Sequence, residues 1–414
     1  MTVTSPGFDA RPSTRPSGRV HVIGAGPAGL FLTALLQGLD GQAVRLYERR
    51  DEYLRTRMVS LAPYLIADSI ESYGADTIDG QSVEAIFDQT ELETRLAYRR
   101  SVAPDLRALL VEWTRGFVPL NTIERTLSEL IDARGTGTVE RIAGEVTAQQ
   151  AIDMLEPGDI LVDCTGTPSL MRDLLVPGED LGERGRNTQK YRLEYALVVT
   201  FLYDQHYECN EWCKYYKNVE NARYKFIPAV HRTFHDGSIS HVTGIVNISK
   251  DEFGAMPRAL DGAWLRDNFP EVALSMDRFI DKVKAETHGE VVGDLEIIRI
   301  PLDVYHARNA TSRRWHRSGI DHPLAKAAVF LLGDSAIGSP YFQSVSLGFE
   351  CAFFLAGHIA NRSLSVDEMF ERYESFMHLQ WLRVYMRTQM IKHNKDMLEL
   401  VDDTFGLLEK LHVY

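Results

Sequence analysis

The chain has 414 residues, 44% of them hydrophobic and 25% charged, as expected of a soluble globular protein of two or three domains and not of a disordered or fibrous one. Its 58 acidic residues outnumber 45 basic ones, and a net charge of −13 argues against any general affinity for nucleic acid or anionic membrane. Four cysteines (Cys164, Cys209, Cys213, Cys351) are too few for a disulfide framework, no apolar run is long enough to span a membrane, and the N-terminus has no signal-peptide core, so a cytoplasmic protein is expected.

Met1–Gly18, with three prolines among Ser, Thr and Gly, reads as a mobile tail. The next stretch, RVHVIGAGPAGLFLTALLQGLDGQAVRLYERR, reads as a strand at Arg19–Ile23, a helix from Pro27 to Gln37 and a second strand from Ala43 that ends on Glu48. Gly24 suits a tight turn, Gly26 a close approach of backbone to a pyrophosphate, and Gly29 close packing of helix on sheet. Pro27 fits the first helical turn, where its missing N–H has no partner to lose. With Ala28 it opens a helix whose N–H groups and positive dipole end face the phosphates. Glu48 stands at the spacing of an acid that accepts hydrogen bonds from the adenosine ribose. Strand, turn, helix and acid together specify a dinucleotide site.

Beyond Glu48, Arg49, Arg50, Arg55 and Arg57 crowd together, and one or two, with Arg49 and Arg57 the candidates, are expected to reach the pyrophosphate. The bland alternative is surface pairing with Asp51 and Glu52. Met58–Ile70 is apolar and predicts a helix after Pro63, residues 71–104 are weakly patterned, and helices are predicted over Ala103–Val118 and Pro119–Arg134. In the second of these Ile123, Leu127 and Leu130 or Ile131 share a face. Short strands follow at Thr138–Ala143 and Asp159–Cys164, the latter bounded by Pro157-Gly158 and Thr165-Gly166 and followed by a helical turn at Ser169–Arg172.

Long β-type runs at Tyr191–Tyr203, Tyr224–Val230 and Ser238–Ser249 indicate a second, antiparallel sheet. The aromatics between them, Tyr215 and Tyr224 in particular, suit either a flat apolar ligand or core packing. His206, Cys209 and Cys213 have no fourth ligand, so no metal is expected. His231, His235 and His241 fall in the same region, but lone histidines on strands are more often structural, and no catalytic residue is assigned. A helix over Ala263–Thr287 and strands at Leu295–His306 and Ala327–Leu332 precede Gly333-Asp334. A helix runs from Leu347 to Ala360, and from Ser365 the chain is helical, with Phe370, Tyr373, Met377, Trp381 and Tyr385 in one stripe.

GAGPAG with Glu48, DCTG at 163–166 and LLGDSAIGSP at 331–340 occur in the order seen in the single-component flavin monooxygenases related to p-hydroxybenzoate hydroxylase, which the chain resembles over residues 19–360. RTRMVSLAPYLIADSI and the GDS at 333–335 look like MICAL monooxygenase domains, while LVDCTG and VPLNTIERTLSELIDARG look like styrene monooxygenase. The resemblance implies an α/β fold in which a Rossmann-like FAD-binding domain of the p-hydroxybenzoate hydroxylase type is interleaved with a mixed β-sheet substrate domain, plus C-terminal helices. Residues 1–18 would be the tail, 19–70, 105–188 and 295–362 the FAD domain, 71–104 and 189–294 the substrate domain, and 363–414 the C-terminal helical segment.

It further implies that Asp334 bonds the ribityl chain of FAD, that Gly333 allows close approach and that Pro340 lies near the flavin ring. Gly166 and Ser346, with Gln343 and Ser344, would also contact the cofactor, and Asn121 stands where the family has a pyrophosphate arginine. Tyr341 and Phe342 would shield the pocket. Thr165 replaces a family aspartate that supports NADPH contacts, so NAD(P)H would reduce the flavin either directly or through a separate flavin reductase. The implied reaction is transfer of one atom of O2, through a flavin C4a-hydroperoxide, to a small aromatic or heteroatom-bearing metabolite, a hydroxylation, epoxidation or N-oxidation of secondary metabolism. A flavin-dependent oxidase or reductase, or MICAL-like oxidation of a protein partner, is the alternative. A halogenase is disfavoured because no WxWxIP segment occurs. Partners would be substrate, O2 and a reductase, without nucleic acid or membrane, and the chain a monomer or homodimer.

Overall fold

The computed structural model describes residues 18–39, 42–55, 58–68, 77–78, 81–82, 99, 102–135, 138–178, 186–204, 229–234, 239–339 and 344–410. The opening unit is β1 (Val20–Ile23), α1 (Pro27–Gln37) and β2 (Val44–Glu48). Every residue of β1 is buried, as a parallel strand covered on both faces must be. After β3 (Met58–Ser60) the helix expected beyond Pro63 is only a 3-10 turn, Pro63–Ile66, because Ala67 returns to extended backbone. β4 (Thr77–Ile78) and β5 (Gln81–Ser82) make a small hairpin.

α2 (Pro104–Trp113) stops short of Val118 because β6 (Phe117–Pro119) pairs with β3. α3 (Leu120–Ala133) buries Ile123, Leu127 and Ile131. It is followed by β7 (Val139–Ala143), α4 (Ala148–Asp153) and β8 (Ile160–Asp163). α4 was not expected, although Thr147 and Gln150 form a capping box at its start. After β8 the chain makes a 3-10 turn at Arg172–Leu174 and no longer helix.

The second half begins with β9 (Thr188–Tyr203), β10 (Ala229–Phe234) and β11 (Ile239–Ile248). α5 (Lys250–Ala255), β12 (Ala259–Leu260), α6 (Gly262–Asn268) and α7 (Pro270–Thr287) lead to β13 (Val291–Ala307). The single helix expected over 263–287 is broken because Phe269, ahead of Pro270, leaves the helical region at φ −139°. α8 (Arg313–Ser318), β14 (Ala328–Leu331), β15 (Ile337–Gly338), α9 (Ser344–Ala360) and α10 (Val366–Lys410) complete the described chain.

Two sheets result. The first is parallel throughout, in the order β14-β8-β1-β2-β7. The second runs β10-β11-β9-β13-β12 with β15 added to β13, and its described ladders are antiparallel, as the long β-type runs indicated. Residues 296–307, placed with the FAD domain in the expected division, pair with β9 in the second sheet. Sheet membership is decided by pairing with a strand a hundred residues away, which local pattern does not reveal.

Each sheet has its own core. Under the first, Phe31 of α1 stacks on Phe349 of α9 at 4.0 Å. Over the second, Leu197, Val199, Phe201 and Tyr203 of β9 pack with Leu265 and Met276 of α6 and α7. The aromatic stripe of α10 spans both sheets. Phe370 and Tyr373 meet Phe330 of β14, whereas Trp381 stacks on Tyr191 of β9 and on His306 of β13. Tyr373 donates to the Leu331 carbonyl at 2.7 Å. Among the described residues no helix is long and apolar enough to cross a membrane.

Candidate functional site

The carboxyl ends of β1, β2, β8 and β14 converge on a cavity of about 490 Å³. Gly24 turns the chain out of β1 at φ +100°, a conformation that side chains resist, and a Cβ there would stand 2.7 Å from the Cys164 carbonyl oxygen. A Cβ on Gly29 would run into the Gly24 carbonyl, so α1 can start this close to the sheet only with glycine there. Gly26 is the extended N-cap with no side-chain cap, and Pro27 follows at the first helical position. A side chain at 26 would fill the space between the start of α1 and the Arg55 guanidinium, where its Cβ would lie 3.5 Å from Nη2. Open space at a helix N-terminus facing a cation is a cradle for a diphosphate.

Of the residues expected to bind cofactor, Gly24, Gly26, Pro27, Ala28, Glu48, Arg49, Gly166, Gly333 and Asp334 line this cavity. Gly29 lies behind the turn. Asn121 and Ser346 are outside the lining: the Asn121 backbone N–H donates to the Arg55 carbonyl at 2.8 Å, and the Ser346 hydroxyl accepts from the Ala62 N–H at 2.9 Å. Arg57, Tyr215, Tyr224, Pro340, Tyr341, Phe342 and Gln343 lie outside the described residues, as do His206, Cys209, Cys213 and His235. His231 and His241 are register partners in the β10–β11 ladder.

Glu48 has a second duty. Its Oε2 accepts from the Ala25 N–H at 3.0 Å and from Arg50 Nη2 at 2.9 Å, and its Oε1 from the Arg50 N–H at 2.9 Å and Nε at 3.0 Å. Burial pushes this carboxyl up, but the Arg50 and Ala25 hydrogen bonds outweigh it and hold the group below the usual carboxylate range. Glu48 therefore clamps the glycine turn as an anion. Arg55, which the sequence reading did not single out for phosphate, lines the cavity and pairs with Glu124 of α3. Glu124 is fully buried, its Oε1 also lies 3.5 Å from Arg50, and its Oε2 has no hydrogen-bond partner among the described residues. Arg49 is exposed and lies 3.3 Å from Glu145.

Asp163, at the end of β8, is the residue that motif reasoning missed. It is fully buried, and its carboxylate accepts from the Thr165 N–H and hydroxyl, the Ser335 and Ser169 hydroxyls and the Met171 N–H, at 2.6–3.1 Å. A buried carboxylate is tolerated only when saturated with donors in this way. Thr165, flagged as the missing family acid, spends its hydroxyl on Asp163 and on the Leu170 N–H. Asp163 faces inward and orders the loop from 164 to 171. Burial, with Asp163 adjacent, pushes the Cys164 thiol well above its ordinary value, which disfavours the thiolate.

No protein-family model matches the chain, and no curated protein matches it. Solved structures resemble it in outline. The Diels-Alderase PyrE3 of pyrroindomycin biosynthesis has a TM-score of 0.48 at 16% identity, over 96% of this chain and 78% of that one. The flavin-dependent brominase Bmp2 has a TM-score of 0.49 at 14% identity, over 94% and 92%. A mutant form of 2-methyl-3-hydroxypyridine-5-carboxylic acid oxygenase has a TM-score of 0.46 at 13% identity, over 87% of each chain. At this level they are likenesses of shape; fold and site rest on this chain's own strands, turns and side chains.

Proposed function

We propose that the chain is an FAD-dependent oxidoreductase, and within that class a monooxygenase acting on a small aromatic or heteroatom-bearing metabolite. The observation that carries this is the grouping of an uncapped helix N-terminus, the ionised Glu48 and Asp334 around one cavity at the carboxyl ends of parallel strands. Gly26, the start of α1 and Arg55 would hold the diphosphate, Glu48 the adenosine ribose, and Asp334 the polyol chain. One atom of O2 would enter the substrate and the other leave as water, with two electrons and two protons supplied through the cofactor.

The second sheet joins the first directly after Asp334, through β15 on β13, so the far end of the cofactor would meet that sheet. Tyr191, Trp381 and His306 cluster where the second sheet meets α10. Position 165 is a threonine whose hydroxyl is committed to Asp163, so that position offers no carboxylate to a nicotinamide nucleotide, which favours electrons arriving through a separate flavin reductase.

The test is to load the chain with FAD, photoreduce it without oxygen, and mix it with O2 in the presence of candidate aromatic substrates. Oxygenated product with little peroxide is expected. Prompt stoichiometric peroxide with every substrate would point to an oxidase, and rapid reduction of the bound flavin by NADPH alone would overturn the reductase step.

A further inference from the structure

We propose that Tyr305 and Arg172 are positioning residues through which the second sheet sets the main chain carrying Asp334; this rests on the cavity being a flavin site. Only residues 332–336 separate β14 of the first sheet from β15 of the second, and Asp334 lies in that link. Tyr305 of β13 pairs with Gly338 of β15, and its hydroxyl donates to the Asp334 carbonyl at 2.7 Å. A Cβ on residue 338 would run into the Tyr305 ring, so glycine there is what lets the ring lie across β15 and reach the link.

Arg172 approaches from the turn after β8. Its Nε donates to the Ser335 carbonyl at 2.7 Å, and its Nη2 to the carbonyls of Asp334 at 3.0 Å and Thr167 at 3.1 Å. The guanidinium also lies over the Tyr305 ring, 5.0 Å from its centre. The Asp334 carbonyl therefore receives one donor from each sheet, and the ring and the guanidinium brace each other. Burial raises the Tyr305 phenol above its ordinary value, so it stays a donor at neutral pH. Beneath them the Ser335 hydroxyl donates to Asp163 at 3.1 Å, tying the link to the end of β8. A shift of β13 would be felt at Asp334 without any contact between substrate and that carboxylate.

The experiment is an FAD titration of the full chain by flavin fluorescence, with Tyr305→Phe, Arg172→Lys, Asp334→Asn and the double variant Tyr305→Phe/Asp334→Asn. Tyr305→Phe keeps the ring and is expected to raise the FAD Kd about 3- to 10-fold, the worth of one hydrogen bond. The FAD-free melting temperature should move by less than about 3 °C. Arg172→Lys, which loses the fork, should reproduce the loss and serves if the first variant folds poorly. The double variant should bind no more weakly than Asp334→Asn alone, because both changes act through one carboxylate. Losses that multiply, or wild-type affinity in both Tyr305→Phe and Arg172→Lys, would overturn the latch while leaving the flavin site standing. A wild-type chain that binds no FAD would overturn both.

Discussion

The two sheets solve different problems. The first is built of strands four or five residues long, and its site is made by backbone: Gly24, Gly29 and Gly333 sit where a Cβ would strike a neighbouring main chain or side chain or meet an unfavourable φ. The second is built of strands up to seventeen residues long, held by side-chain packing, with register shifts in β13 that its length absorbs. Geometry fixed by backbone allows few substitutions but leaves a readable motif. Geometry fixed by packing tolerates change and leaves little signature.

The sharpest break in that contrast is Gly29→Val. It should cost more than about 4 kcal/mol and abolish FAD binding, because α1 cannot retreat from the Gly24 carbonyl without opening the turn; calorimetry and flavin titration would show both. Phe201→Ala in the second core should cost about 3–5 kcal/mol by the cavity it leaves, yet the folded fraction should keep FAD affinity within about twofold. Equal loss of affinity in both variants would erase the distinction between the sheets.

Glu48→Gln should cost about 1–3 kcal/mol at pH 7, since it removes a charge-assisted clamp on Ala25 and Arg50. Glu48 has a lowered folded-state pKa, so its stabilisation is complete above the unfolded carboxylate value of about 4.3 and is lost as pH falls through the lowered value. Denaturant midpoints measured against pH should therefore show the variant and wild type converging on the acid side. Arg266→Gln, which breaks the exposed pair with Asp277, should change stability by no more than about 0.5 kcal/mol.

The glycine turn, α1 and Glu48 were legible because local geometry leaves only those residue types, and the same holds for Gly333-Asp334 after a buried strand. That Arg55, rather than another arginine of the cluster, faces Gly26 was not legible, because its partner Glu124 lies 69 residues away in α3. Asp163 was overlooked because motif matching looked for an acid at position 165, whereas here the acid faces inward from the end of β8. The sheet that β13 joins was hidden for the same reason: its strand character is local, its pairing with β9 is not. Pro270, a signal that could have been used, marked the break between α6 and α7.

The most direct measurement is a spectrophotometric titration of the purified chain with oxidised and dithionite-reduced FAD, alongside Gly26→Val, in which a side chain would occupy the space facing Arg55. One FAD bound per wild-type chain in either redox state, with binding lost in a Gly26→Val protein that still melts cooperatively, is expected. A folded wild-type chain that takes up neither form, or a Gly26→Val protein that binds FAD as tightly as wild type, would contradict a flavin held at this turn.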